Sequence, residues 1–127
     1  MRKKVLILCS IILLAGAGIF LSFGFRKCTS PVLTDFLVSP YEDSMTLEAA
    51  PASSMGYIRM MRTDIQDGKA YLTFYHTFGG PNSSLGAKNR FTFSLPEDCH
   101  EIYFFRGGDD FRLVLQKNPD TGHWEKL

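Results

Sequence analysis

Tyr57-Ile58-Arg59-Met60-Met61-Arg62-Thr63-Asp64, followed by Ile65, then Gln66-Asp67-Gly68, then Lys69-Ala70-Tyr71-Leu72-Thr73-Phe74-Tyr75-His76-Thr77-Phe78, is the stretch on which the fold turns. Two runs rich in apolar, aromatic and β-branched residues flank a short polar segment that ends in Asp-Gly, a strong hairpin signal. Two registers compete. A two-residue Asp67-Gly68 turn pairs Met61 with Phe74 and Arg59 with His76. A three-residue turn with Gly68 in a bulge pairs Met60 with Phe74 and Ile58 with His76. A slip of one residue exchanges the faces of a strand. The bulged register gathers Ile58, Met60, Leu72, Phe74 and Phe78 on one face and Arg59, Tyr71, Tyr75 and Thr77 on the other. That cleaner partition favours the bulged turn.

Downstream the β pattern continues. A Gly/Ser loop, residues 79–86, precedes Phe91, Phe93 and Leu95, which alternate with Arg90, Thr92 and Ser94 as in a half-buried strand. Glu101 to Arg106 carries apolar residues on both faces, the mark of a central strand. Gly107-Gly108-Asp109-Asp110 turns into Phe111–Gln116, and Asn118–Gly122 turns into a short strand with Trp124. No window shows a sustained helical stripe. The expectation is an all-β domain, a small antiparallel sandwich or open barrel of about five or six strands. Its core draws on the 11 Phe of the chain, each worth roughly 1.5–3 kcal/mol when fully buried.

Upstream lies a Pro/Ser/Ala-rich stretch with Pro31, Pro40 and Ala49-Ala50-Pro51-Ala52-Ser53-Ser54. Its composition reads as a juxtamembrane stalk over residues 26–54, leaving 55–127 for the β domain, although Val32-Leu33 and Phe36-Leu37-Val38 interrupt it and fit a first strand or a packing segment. Before it, Val5–Phe25 is an unbroken apolar run behind a basic segment at 1–4, and 13 of its 21 residues are Val, Leu, Ile or Phe. At about 1.5 Å per residue such a helix reaches roughly 30 Å, the thickness of a bilayer's hydrocarbon core. The competing reading is a cleaved signal ending near Ala17, giving a secreted chain. Residues 18–25 stay apolar beyond that site and would leave a greasy tail in water, which favours an uncleaved anchor. Arg2, Lys3 and Lys4 against Arg26 and Lys27 favour a cytoplasmic N-terminus and an external C-terminal domain.

Five of the 14 Lys and Arg precede Cys28 and all 13 acidic residues follow it. The 100 residues from Cys28 onward thus hold 9 basic and 13 acidic side chains, a formal charge of −4. That balance lacks the basic patch nucleic-acid binding requires.

Several motifs invite chemistry and fall short of it. Arg106–Phe111 resembles the hairpin signature of diguanylate cyclases over six residues. It departs at Asp110, where the family has Glu, and the chain has neither the length nor the alternating helices of that α/β domain. A two-glycine turn is the simpler reading. His76, Cys99, His100 and His123 suggest zinc by residue type, but no paired clasp spaces them for a tetrahedral site. Ser83 and Ser84 sit in a Gly-rich loop without a nucleophile elbow. Asn82-Ser83-Ser84 fits a glycosylation sequon, relevant only in a eukaryotic secretory pathway. No cofactor is implied. Cys28 and Cys99 are the one pair available to a disulfide outside the span, although two free thiols fit a stalk cysteine better.

The functional expectation is a membrane-anchored binding or protein–protein interaction module, held to lipid by residues 5–25. Its candidate binding face is Arg59, Tyr71 and Tyr75, since Tyr and Arg are enriched where interfaces concentrate their energy. The competing arrangement is a second sheet covering that face. The alternative functions are a small envelope enzyme or metal-dependent hydrolase, and a structural accessory of a membrane complex.

Overall fold

The computed structural model describes residues 2–52, 56–80 and 83–127. One apolar helix, α1 (Arg2–Gly24), leads into eight strands: β1 (Pro31–Val38), β2 (Ser44–Pro51), β3 (Ile58–Gln66), β4 (Lys69–His76), β5 (Arg90–Ser94), β6 (Glu101–Gly107), β7 (Asp110–Lys117) and β8 (Trp124–Lys126). Helix α1 is long and apolar enough to cross a membrane and is exposed from Arg2 to Ser22, with Phe23 half-buried and Gly24 buried. The strands form two sheets, ordered β1-β2-β5 and β3-β4-β6-β7-β8.

The decisive hairpin is β3–β4, and its turn is the two-residue one. Asp67 and Gly68 have φ of 52° and 77°, the pair of positive values that a type I′ turn requires. Gln66 pairs with Lys69 and Met61 with Phe74, so the three-residue bulged turn expected from the face pattern does not form. The bulge exists, but at the far end. The register shifts between Ile58 and Met60, which restores the Ile58–His76 pair and leaves Arg59 as the extra residue. Met61 therefore packs against the core and Met60 points out, at 38% exposure.

The supposed stalk is β structure. In β2, Met45, Leu47 and Ala49 are fully buried while Ser44, Thr46 and Glu48 alternate with them. Ser39 closes the preceding turn: its hydroxyl donates to Asp43 Oδ1 at 2.7 Å and accepts from the Asp43 amide at 3.2 Å. Two strands from 31–51 thus make most of the three-stranded sheet, with Leu47 paired to Phe91 and Met45 to Phe93. The expected boundary at 54/55 falls outside the described residues.

The inner faces of the two sheets share one core. Phe74 sits at its centre, edge-on to Phe91 of the other sheet at 5.5 Å and to Phe104 of its own at 4.8 Å. The described residues after 55 hold six strands, within the expected five or six, while β1 and β2 raise the total to eight, and the pairing is not purely antiparallel. Strand β6 pairs parallel to β4, from Lys69–Glu101 to Leu72–Phe104. The physical reason is the route of the chain. After β4 it crosses to the other layer as β5, then returns as β6, and a connection of that length allows parallel strands.

Beyond Leu72 the same edge of β4 takes a different partner, the chain leaving the helix. Lys27 bridges Tyr75, the Cys28 amide donates to Phe74 O at 2.7 Å, and the His76 amide donates to Arg26 O at 3.0 Å. The residues after α1 are therefore stitched into the five-stranded sheet. This fixes one end of β4 near the end of the helix and leaves the Gly68 turn at the far end.

Candidate binding face

Strand alternation sends Ala70, Leu72 and Phe74 into the core and Lys69, Tyr71, Thr73 and Tyr75 the other way. The three-stranded sheet packs on the Phe74 side, so Tyr71 and Tyr75 lie on a face that no second sheet covers among the described residues. Two of the three expected residues share this face. Arg59 does not. The bulge swings it to the end of α1, where its Nη2 donates to Gly24 O at 2.6 Å and its guanidinium lies 4.1 Å from the centre of the Phe78 ring. Arg62 stands on the open face in its place.

The face is more aromatic than β4 alone indicates. Tyr71 stacks on Tyr103 of β6 with centroids 5.1 Å apart and meets the edge of Phe111 of β7 at 5.0 Å. Phe111 in turn contacts Phe105 at 5.6 Å, and the Lys27 ammonium lies 5.1 Å from the Phe105 ring centre. Lys27, Arg62, Asp64, Tyr71, Tyr75 and Phe111 surround a shallow hollow of about 380 Å³, with Asp109 on its rim. Tyr103, Phe105, Phe111 and Lys27 escaped the sequence reading because the order β4-β6-β7 was not known. Their one sequence signal is the doubly apolar run of β6.

At the far end of the face the Tyr103 hydroxyl donates to a Glu101 carboxylate oxygen. That hydrogen bond, aided by partial burial and the carboxylate charge, pushes the Tyr103 phenol up to about 12. The other Glu101 oxygen lies 3.8 Å from His100 Nε2. The face is thus mixed: aromatic planes in the middle, both signs of charge around them.

The remaining candidate groups are dispersed. Cys28 is buried beside Phe74, whereas Cys99 adjoins His100, whose amide donates to Gly68 O at 2.8 Å. Six residues of strand, roughly 20 Å, separate those positions, beyond the ~7 Å Cα span of a disulfide. Both thiols are free, and burial pushes both upward from their ordinary pKa. A neutral buried thiol is a poor nucleophile and a poor metal ligand. His76 lies at the helix end of β4 and His100 at the opposite end, and among the described residues no three His, Cys, Asp or Glu side chains converge. Gly107–Asp110 is the β6–β7 turn, closed by an Arg106–Asp110 ion pair at 2.9 Å. Asn82 of the sequon lies outside the described residues. Compared with family models, with characterised proteins and with solved structures, the chain matches none.

Proposed function

We propose that this chain is a single-pass membrane protein whose two-layer β sandwich lies outside the cytoplasm and binds a protein partner through the open face of the five-stranded sheet. The observation that carries this reading is the half-buried aromatic cluster Tyr71–Tyr103–Phe111, backed by the buried Phe105, on a face over which no second sheet lies among the described residues. A sheet face turned to water is ordinarily polar. Aromatic residues with hydroxyls, flanked by Arg62 and Lys27, combine contact area with hydrogen bonding at low entropic cost. The buried thiols and the separated histidines give an enzyme reading no comparable support.

Photo-crosslinking tests it. A benzophenone amino acid at position 75 of the full-length chain should give a discrete ultraviolet-dependent protein adduct in the cells that make it. The same group at Thr92, on the outer face of the other sheet, should give none. Equal adducts from both positions, or none from 75, would overturn the reading.

A further inference from the structure

The loop after β4 is bound to the helix as well as to the sheets. Phe78 stacks on Phe20 of α1 with centroids 5.9 Å apart and planes 7° from parallel, and meets the edge of Phe25 at 5.9 Å. The Gly79 amide donates to Phe20 O at 3.3 Å. A side chain at Gly24 would fall within the Phe78 ring, so the absence of one is what lets the loop close on the helix.

The length of the span sets the depth of these contacts. The apolar part of α1, residues 5–24, is 20 residues, about 30 Å of helix against roughly 30 Å of hydrocarbon, so there is no spare turn. If residues 20–25 stood outside the bilayer, the 15 residues Val5–Ile19 would reach only about 22 Å, roughly 8 Å too short. Phe20 therefore belongs in the hydrocarbon, about 6 Å below Gly24 along the axis. Phe78, which touches Phe20, Gly24 and Phe25, lies between the levels of Phe20 and Phe25.

We propose that Phe78 and Gly79 form a second membrane contact beside α1, a lip inserted among the acyl chains, so that the domain sits in the adjacent leaflet rather than above it. The lip rests on the reading of α1 as a membrane span. Its chemistry suits lipid. Non-helical backbone is tolerated at this depth only when its polar groups are satisfied within the protein. Of the lip's backbone the Gly79 amide has the helix carbonyl, and beside it the Thr77 amide donates to Tyr57 O and the buried Thr77 hydroxyl to Ser83 O. The cations rise from the apolar zone toward the headgroups: Arg26 lies over Phe23 at 4.4 Å, and Arg59 reaches across Phe78 to cap Gly24. Long basic side chains occupy a bilayer boundary in this way.

Fluorescence depth measurement decides it, using the full chain in lipid vesicles that contain a phosphatidylcholine brominated high on its acyl chains. The native Trp124 belongs to β8, opposite Lys117, whose amide donates to His100 O at 2.8 Å. It therefore lies at the end remote from the helix and serves as the control. In a Trp124→Phe background, Phe78→Trp should be quenched about as strongly as Phe23→Trp, and far more than Trp124 in the native chain. Leu13→Trp reports the span itself, with bromine near the chain ends. Quenching of position 13 but not of 78 would overturn the lip while leaving the span intact. Quenching of neither would overturn both. The unsubstituted chain supplies a check on folding: in nanodiscs, a nitroxide high on the lipid chain should broaden the ring signals of labelled Phe78, and unbroadened signals there would overturn the lip.

Discussion

Tyr103 and Arg59 show how far single residues depend on what lies beside them. Tyr103 donates to Glu101, and the bond raises its phenol from an ordinary value near 10 to about 12. The folded state then holds a proton that the unfolded chain gives up. The stabilisation is fully present below pH 10 and is lost as pH rises toward 12. A spectrophotometric titration of the five tyrosines should show one phenol ionising late, and Tyr103→Phe should remove that late step. Five phenols titrating together would mean the hydrogen bond is not made. Tyr71 and Tyr75 were legible from the sequence because they stand four residues apart in a strand and must share a face. Arg59 was not, since one extra residue in a ladder reverses a side chain, and no local composition marks where the extra residue falls.

At the scale of elements, the β3–β4 hairpin was read correctly as a hairpin and wrongly in register. Asp67-Gly68 carries the turn chemistry, but the bulge that tidies the apolar pattern sits at Arg59 rather than beside the turn. Gly68 is also confined from outside: a Cβ there would lie 2.7 Å from Asp98 O and from the His100 ring. Gly68→Val should cost roughly 1–3 kcal/mol through backbone strain, with the displaced His100 adding to it. Denaturant midpoints of the purified chain measure this, and an unchanged midpoint would contradict the turn. Strand β2 shows a different failure of reading. Its Met45-x-Leu47-x-Ala49 alternation is a clean strand signal, yet alanine, serine and proline around it have the composition of a linker. Composition averages over a segment, whereas burial follows alternate positions.

For the molecule as a whole, the two-layer design separates residues that load the core from residues that are free to bind. Phe74→Ala, at the contact between sheets, should cost about 3–5 kcal/mol of stability. Tyr75→Ala, one position along and on the open side, should cost about 1 kcal/mol while weakening the partner complex by about 1–3 kcal/mol. Thermal denaturation of the pair checks the contrast, and equal losses would mean that the Tyr75 face is loaded like the core. The apolar core was legible in the Phe-rich strands. The parallel β4–β6 pair was not, because it depends on a chain route through the opposite layer that no local pattern records. The stitching of Arg26–Cys28 to β4 has a temporal consequence. Lys27 meets its partner Tyr75 across 48 positions of sequence, and contacts of such separation form late because the loop between them must first be closed. At a synthesis rate of about 5–20 residues per second, the chain beyond the helix waits several seconds for its strand to exist. The bridge beside the helix can thus close only once about half of the chain beyond α1 has been made.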